Sequence, residues 1–482
     1  MSRRKDKKKP ERKKLLNRDI YKISAVFAVL FLALCGYIVY FVIFQSGTII
    51  NNSYNTRSSV MAETTARGSI LSSDGDVLAY TSTDTDGNET RVYPYGEIFA
   101  HVVGFTDNGG LGLESSYNYY LLTSHAGLFN QIYNEFLGNK IAGDNIITTL
   151  DTDLQTYIYD ILGDNEGAVV VMDPETGDIL AMVSAPTFDP NTIADDWDEI
   201  SSDDESSVLY NRATQSALTP GSTFKIFTLL EYYRENDGDV SDYSYDCDGS
   251  ITVDDYTISC VNETSHGSLD LIGSFAVSCN SSFVKIGLSL NLDEFKENNE
   301  ALLFNSELPL DISYTKSSFV LDSDSSEFMV MQTAFGQGET TMTPIHLALV
   351  TCAIANDGVL MTPRLVTEIQ SAGGRTIKKF ATSEYSTLLT SDEAEFLKEA
   401  MRAVVTDGNA SSLSSSSYTA YGKTGTADTS SSEDSNYTHS WFTGFAESDG
   451  QTIVVCVMIE NSEEANMTGK DIAKKVFDYY FN

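Results

Sequence analysis

The chain has 482 residues, 41% hydrophobic and 21% charged, with a formal net charge of −38 at pH 7. This composition is typical of a globular protein long enough for more than one core. Such an acidic chain argues against nucleic acid as a partner, because phosphate binding requires a basic face.

Positive charge is concentrated at the N-terminus. Residues 1–22 contain eleven Lys or Arg against three acidic residues, a local excess of eight positive charges. Residues 23–44, ISAVFAVLFLALCGYIVYFVIF, contain no charged residue and are long enough to cross a bilayer as one helix. Because basic flanks stay inside, we expect a cytoplasmic tail, a single span and an extracellular remainder. A cleaved signal peptide is the alternative, but its apolar core is usually shorter and a small-residue cleavage site should follow.

The character of the chain changes near residue 150. Residues 45–150 are polar with short strand-like runs, which predicts an elongated, β-rich pedestal domain. Residues 151–482 contain longer apolar elements and are predicted to form the main domain. The first of these, GAVVVMDPETGDILAMVSAP at 167–186, has two β-type runs joined by a turn and predicts a hairpin. Between about 220 and 410, apolar residues fall mostly at helical spacing.

Strands return at the C-terminal end. YTAYGKTGTA, SWFTGFAE and TIVVCVMIE are three β-type runs, and GKDIAKKVFDYYFN predicts a terminal helix. Strands on both sides of a helical insertion predict an α+β domain in which distant segments close one antiparallel sheet.

Cysteine spacing leaves two readings open. Cys247 and Cys260 bracket a polar, turn-rich loop in a compartment that permits disulfides, so they form either a disulfide or two free thiols. No second close pair of Cys or His completes four ligands, so we expect neither a metal nor any other cofactor. His266 is expected to lie in a turn.

The stretch TPGSTFKIFTLL, 219–230, predicts a helix with polar chemistry at its start. Thr219 is a plausible N-cap and Pro220 a plausible first helical residue. Ser222 then lies in the first turn, where the helix dipole favours negative charge on its hydroxyl. Lys225 follows three residues later on the same face. An uncharged amine there could take the proton of Ser222, provided that burial or a second cation lowers the pKa of Lys225.

Two further motifs accompany this S-x-x-K. S-x-N occurs at Ser278–Asn280, and K-T-G occurs once, at Lys423–Gly425, in a predicted strand that continues into Thr426. S-x-x-K and S-x-N each recur elsewhere in the chain, so neither is specific alone. Together and in this order, the three motifs are the signature of serine β-lactamases and penicillin-binding proteins.

The chain resembles a class B penicillin-binding protein, a peptidoglycan D,D-transpeptidase, over nearly its whole length. Further matching stretches are RGSILSSDGDVLA (67–79), GDNIITTLDTDLQ (143–155), FGQGETTMTPIHLA (335–348) and SWFTGFA (440–446). The resemblance implies a penicillin-binding, serine β-lactamase-like fold, with an antiparallel sheet, helices on both faces and a helical subdomain. One departure is Ser72 and Ser73, where the family usually has an Asp-Arg pair that bears on pedestal packing.

The resemblance also implies roles for the motif residues. Ser222 would attack the penultimate D-Ala carbonyl of a D-Ala-D-Ala stem peptide, with Lys225 as its general base and Lys423 as the second cation. The backbone amides of Ser222 and Thr426 would form the oxyanion hole. β-Lactams would be trapped as acyl-enzymes.

The remaining motif residues would handle the proton and the substrate. Ser278 would pass a proton to the leaving D-Ala, and Asn280 would hydrogen-bond the peptide. The hydroxyls of Thr424 and Thr426 would hold the terminal carboxylate. Gly425 would leave room for the substrate to approach the edge strand.

Three alternatives stay open at this stage. They are a D,D-carboxypeptidase, a β-lactam sensor and a catalytically silent scaffold of the cell-wall machinery. Residues 45–150 are too few for a glycosyltransferase domain, so by family analogy glycan polymerisation would need a SEDS-family membrane glycosyltransferase as a partner.

Overall fold

The computed structural model describes residues 10–41, 57–202, 207–429, 437–463 and 465–482, which divide into two compact units at Val60. The first unit contains the helix Pro10–Tyr40, in which Ile20–Tyr40 forms an apolar stretch of 21 residues with an exposed surface. A helix of spanning length is therefore present over most of the predicted span. Residues 1–9 of the basic tail and residues 42–44 of the span lie outside the described residues.

The second unit, from Met61 onwards, is mixed α and β. Its strands are β1 (Thr65–Ala66), β2 (Ile70–Leu71), β3 (Val77–Thr83), β4 (Glu89–Val92), β5 (Ile141–Ala142), β6 (Asn145–Thr148), β7 (Gly167–Met172), β8 (Ile179–Ala185), β9 (Tyr245–Cys247), β10 (Ser250–Val253), β11 (Tyr256–Ser259), β12 (Gly267–Leu269), β13 (Val359–Met361), β14 (Val366–Gln370), β15 (Thr376–Lys379), β16 (Glu384–Thr387), β17 (Thr419–Thr429), β18 (Tyr437–Ser448) and β19 (Gln451–Ile459). Its longer helices are Leu128–Leu137, Thr152–Leu162, Ile193–Ser202, Lys225–Glu235, Asn280–Gly287, Leu292–Ala301, Glu327–Ala334, Pro344–Ala355, Ser391–Thr406 and Gly469–Phe481, and its short ones are Arg57–Thr64, which begins before Met61, Ala100–Val103, Gly112–Ser116, Asn118–Leu121, Arg212–Gln215 and Leu271–Ala276.

The central sheet has the order β17-β18-β19-β7-β8, and all of its neighbouring strands are antiparallel. β7 and β8 form the predicted hairpin, and the three C-terminal strands join it from the other end of the chain. The predicted closure of one antiparallel sheet by distant segments is confirmed. β17, which carries K-T-G, lies at the edge of this sheet.

Two helices cover opposite faces of the central sheet. The ring of Phe442 in β18 packs against Phe477 of the C-terminal helix, with centroids 6.4 Å apart. The next residue, Thr443, hydrogen-bonds Thr351 of the helix Pro344–Ala355 at 2.6 Å. Because successive side chains on a strand point to opposite faces, the two helices sandwich the sheet.

A second sheet, of order β15-β14-β6-β2-β3-β4, joins residues from both sides of the predicted boundary at residue 150. Ile146 of β6 pairs with Ile369 of β14, and both side chains are fully buried. Ser73, one of the two residues that depart from the family's usual pattern, donates its hydroxyl to the carbonyl of Leu150 at 3.0 Å. The pedestal segment and the main domain thus share one core, while the boundary itself stays a prediction.

Candidate active site

The serine turn begins one residue later than predicted. Ser222 lies in a single 3-10 turn, Gly221–Phe224, which continues directly into the helix Lys225–Glu235. Pro220 precedes the turn, and no side chain caps it, so the prediction of Thr219 as N-cap is wrong. Side chains three residues apart eclipse in a 3-10 turn, which brings the serine and lysine together.

Lys225 is fully buried and its nitrogen is surrounded by oxygens of the first two motifs. It lies 2.9 Å from Oγ of Ser222, 2.7 Å from Oδ1 of Asn280, and 3.1 and 3.0 Å from the hydroxyl and carbonyl of Ser278. The rings of Phe283 and Phe335 lie at 5.4 and 5.9 Å and close the apolar side. The amine can therefore exchange a proton with the hydroxyl of Ser222 or of Ser278.

The S-x-N motif links two helices. Ser278 follows the helix Leu271–Ala276. The amide of Ser278 donates to the carbonyl of Phe275, and the amide of Cys279 donates to the carbonyl of Ser274. This is a Schellman motif, and Ser278 takes the left-handed position that glycine usually fills, with φ of 58°. Cys279 is then the N-cap of the helix Asn280–Gly287. The chain reversal directs both Ser278 and Asn280 towards Lys225.

K-T-G lies on the edge strand, as predicted. Lys423 is fully buried, and its nitrogen lies 2.9 Å from the hydroxyl of Ser278 and 3.0 Å from the carbonyl of Thr424. Lys423 and Lys225 thus share Ser278 as a common partner. All five predicted catalytic residues are brought together.

Gly425 lies in close contact with the serine turn. A Cβ on Gly425 would lie 2.9 Å from the carbonyl oxygen of Pro220 and 3.0 Å from Cγ2 of Thr223. A side chain would therefore obstruct the serine turn, while the role of Gly425 in leaving room for the substrate stays a prediction. Two glycines that the sequence analysis missed have the same function: a Cβ on Gly221, where φ is 57°, would lie 2.4 Å from the carbonyl of Thr426, and one on Gly336 only 1.7 Å from that of Gly221. The sequence signal for Gly221 is its position directly before Ser222, and that for Gly336 is its position in the family-like stretch FGQGETTMTPIHLA (335–348).

Burial governs the charge of the two lysines. Burial lowers the pKa of Lys225 to about 7, because the charged form loses its hydration. Burial, and after it the neighbouring Lys225, also lowers the pKa of Lys423 well below its ordinary value. Of the two causes considered from the sequence, burial or a second cation, burial is the main cause of the lowered pKa of Lys225.

A cleft of about 830 Å³ opens over these residues. Ser222, Ser278 and Asn280 line it, together with the substrate-binding candidates Thr424, Gly425 and Thr426. The remaining lining residues, which the motifs did not mark, include Thr257, Ile258, His266, Gln332, Gln337, Asn409, Asp428 and His439. Trp441 and Phe442 of the neighbouring strand β18 are buried.

The cysteine loop agrees with the free-thiol alternative but not with the expectation that four metal ligands are lacking. Cys247 and Cys260 are free thiols with sulfurs 3.8 Å apart, far beyond the length of a disulfide bond, so the disulfide reading is not supported. His266 and Cys279 complete a group of four possible ligands whose ligand atoms all lie within 4.8 Å of one another. The expectation that four metal ligands cannot assemble here is therefore wrong.

Comparison with known proteins identifies the family. The penicillin binding protein transpeptidase domain matches residues 167–481, and the penicillin binding protein A dimerisation domain matches residues 67–146. The chain belongs to the penicillin-binding protein transpeptidase family.

Individual family members are similar over most of this chain. The peptidoglycan D,D-transpeptidase PbpA of Mycolicibacterium smegmatis is 28% identical over 489 residues, covering 96% of this chain and 97% of the relative. The D,D-transpeptidase domain of a peptidoglycan glycosyltransferase from Eggerthella lenta superposes with a TM-score of 0.76 at 30% identity, covering 86% of this chain and 98% of that one. The penicillin G acyl-enzyme complex of penicillin-binding protein A from Mycobacterium tuberculosis superposes with a TM-score of 0.76 at 26% identity, covering 86% of this chain and all of that one. The resemblance seen in the sequence and its fold class are confirmed.

Proposed function

We propose that this penicillin-binding protein is a serine-type peptidoglycan D,D-transpeptidase that cross-links stem peptides and releases D-Ala. The observation that carries the proposal is the 2.9 Å contact between Nζ of Lys225 and Oγ of Ser222, at a buried amine whose pKa is lowered to about 7. An uncharged amine at hydrogen-bond distance is what a serine needs to become a nucleophile near neutral pH.

In the acylation step, Oγ of Ser222 attacks the carbonyl carbon of the penultimate D-Ala and its proton moves to Lys225. The oxygen of the tetrahedral intermediate would lie between the backbone amides of Ser222 and Thr426. The close approach of the Gly221 and Thr426 backbones supports this position for an oxyanion hole. One such donor is typically worth about 3 to 4 kcal/mol in the transition state.

Collapse of the intermediate breaks the bond between carbon and nitrogen, and the departing amine of D-Ala needs a proton. Ser278 can deliver it, because its hydroxyl lies 3.1 Å from Nζ of Lys225 and 2.9 Å from Nζ of Lys423. The proton taken from Ser222 therefore reaches the leaving group through one hydroxyl. Lys423 and the hydroxyls of Thr424 and Thr426 would hold the terminal carboxylate, and Asn280 would orient the peptide amide.

The acyl-enzyme is then resolved when the amine of a second stem peptide attacks the ester carbonyl and Ser222 regains its proton. Hydrolysis would compete if a carboxylate activated water beside the ester. Among the described residues that line the cleft, Asp428 is the only carboxylate, and it lies exposed on β17 beyond Thr426. We therefore propose that cross-linking outruns release of D-Ala to water and that β-lactams remain attached to Ser222.

The apolar helix Ile20–Tyr40 supports attachment to the bacterial cell membrane. We propose a cytoplasmic N-terminus and an extracellular catalytic domain, because the eleven basic residues among 1–22 lie at the N-terminal side of the charge-free stretch 23–44. Peptide cross-linking needs polymerised glycan as its substrate. A SEDS-family membrane glycosyltransferase is the proposed partner that supplies it.

Labelling with a fluorescent penicillin tests the function. The wild-type chain should gain the mass of one penicillin, and Ser222→Ala should not be labelled at all. Ser313→Ala is the matched control, since Ser313 begins another S-x-x-K but is exposed. Labelling that survives in Ser222→Ala contradicts the assignment of the nucleophile. Mass spectrometry of products made from lipid-linked substrate with a glycosyltransferase then separates cross-linked peptides from D-Ala release alone.

A further inference from the structure

We propose that Cys247, Cys260, His266 and Cys279 form a structural zinc site that positions the S-x-N motif. The sulfur of Cys260 lies 3.8 Å from that of Cys247 and 3.7 Å from that of Cys279, and Nδ1 of His266 lies 3.3 Å from the sulfur of Cys247. A tetrahedral zinc ion with sulfurs at about 2.3 Å would hold neighbouring sulfurs about 3.8 Å apart. Three cysteines and one histidine are a typical ligand set for a closed, structural site.

Local structure delivers the four ligands to one point. Cys247 ends β9, which pairs with β12 so that Cys247 lies opposite Gly267, directly after His266. Cys260 follows β11, and its amide bonds the carbonyl of Gly249. Cys279 comes from a different part of the fold, as the N-cap of the helix Asn280–Gly287. The site thus ties the loop 245–269 to that helix.

The loop has little else to stabilise it. Between residues 244 and 270 only Cys247, Gly249 and Cys260 are buried, and the three cysteines form a cluster separate from the main core. A segment of this size without an apolar core usually needs a metal or a disulfide. A disulfide would join only two of the three sulfurs. It would leave the third thiol buried and unbonded, and it would not explain the histidine nitrogen beside the sulfurs.

A buried hydroxyl completes the surroundings. Oγ of Ser281 lies 3.3 Å from the sulfurs of Cys247 and Cys279 and 3.4 Å from that of Cys260. A hydroxyl in this position can donate to a metal-bound thiolate, which is a weak acceptor that still needs partners when buried. Apolar packing does not account for this hydroxyl.

The site also bears on catalysis, a step that rests on the proposed function. Cys279 lies between Ser278 and Asn280, both of which hold Lys225, and Nδ2 of Asn280 donates to the carbonyl of Ser259, the residue before Cys260. Asn280 thus directly follows one proposed ligand in the chain, and its side chain hydrogen-bonds the residue before another. The four ligands are positioning residues for the reaction.

Metal content is the first test, on the full-length chain purified in detergent without chelator or reductant. We expect about one zinc ion per chain. When cobalt replaces zinc, the absorption spectrum should be that of a tetrahedral metal ion with thiolate ligands. Cys279→Ala and His266→Ala should lose the metal, whereas Cys352→Ala, a buried cysteine outside the cluster, should keep it. Ser281→Ala should retain the site with zinc affinity about 10-fold lower. A metal-free chain overturns the proposal. Alkylation followed by mass spectrometry then shows whether its cysteines are disulfide-bonded or free, and either result contradicts the zinc site.

Acylation by penicillin is the second test, on wild-type chain before and after treatment with a zinc chelator. Removal of zinc should slow acylation of Ser222, and added zinc should restore the rate. An unchanged rate overturns the positioning role while the metal site stands. Failure of the zinc-loaded wild-type chain to react with penicillin contradicts the proposed function instead, so the two failures are distinguishable.

Discussion

The side-chain nitrogens of Lys225 and Lys423 approach one and the same oxygen, the hydroxyl of Ser278, at 3.1 and 2.9 Å. Both lysines are fully buried, and within the described part of the chain no carboxylate hydrogen-bonds either nitrogen. Two positive charges cannot be accommodated cheaply at this separation in a water-poor site. We therefore infer that only one of the two amines carries a positive charge at a time. An amine that is neutral near pH 7 can accept a proton, as acid–base catalysis requires.

Removal of the proposed base should slow acylation without loss of the fold. We expect Lys225→Ala to lower the rate of acylation by penicillin by about 10² to 10⁴, the usual contribution of a general base. Stopped-flow fluorescence with a labelled penicillin measures the rate. Lys316→Ala removes the lysine of the S-x-x-K that begins at Ser313 and should leave the rate unchanged. A normal rate in Lys225→Ala would show that another group activates Ser222.

The rate of acylation should depend on pH through Lys225. With a pKa lowered to about 7, this amine is protonated and inactive as a base at lower pH and neutral at higher pH. The rate should therefore rise as pH increases through about 7 and then level off. Lys423 and the thiols of Cys260 and Cys279 lie near this amine and can also titrate. The two thiols act to raise the pKa of Lys225.

A charge placed beside Lys225 should move that profile in a known direction. Asn280→Asp would put a carboxylate where Oδ1 now lies, 2.7 Å from the amine. The negative charge favours the protonated amine, so the midpoint of the rate profile should move upwards by about 1 to 3 pH units. An unmoved midpoint in Asn280→Asp would mean that the rate reports another titrating group.

Gly425→Ala should damage the site through the serine turn. The new methyl group would lie 2.9 Å from the carbonyl of Pro220 and 3.0 Å from Cγ2 of Thr223, so the turn must shift. A displacement of about 1 Å can cost about 10² in rate. Gly373→Ala is the control, because its new methyl group would meet nothing closer than 4.0 Å. Equal penicillin acylation rates in the two variants would contradict the proposed contact.

Ser278 allows stability and catalysis to be separated. Its φ of 58° favours glycine, and the left-handed conformation costs other residues about 1 to 2 kcal/mol. Ser278→Gly should therefore have a free energy of unfolding about 1 kcal/mol higher than Ser278→Ala. Both variants lack the hydroxyl, so both should acylate slowly and to a similar extent. Thermal unfolding checks the expected difference in stability, and penicillin acylation on the same preparations checks the expected loss of rate. Recovery of the acylation rate in Ser278→Gly would argue against a proton-transfer role for Ser278.

The elements that the sequence predicted well are those whose pattern is complete within one stretch of chain. The hairpin β7–β8, the three C-terminal strands and the terminal helix each show a local period or turn that few other structures satisfy. The apolar helix near the N-terminus was predictable for the same reason. The start of the serine turn was misplaced, because a tight 3-10 turn and an α-helix begin with the same residue types.

The three motifs in their order were enough to identify the family from the amino-acid sequence alone. The pairing of Ser222 with Lys225 was predictable because a spacing of three residues places two side chains on one face. Tertiary packing sets the contact between Ser278 and Lys423, since these residues are far apart along the chain and meet where a helix end packs against an edge strand. The same holds for the four sulfur and nitrogen ligands around Cys279. Distances between residues remote in sequence are set by how elements pack, and a local pattern carries no record of that packing.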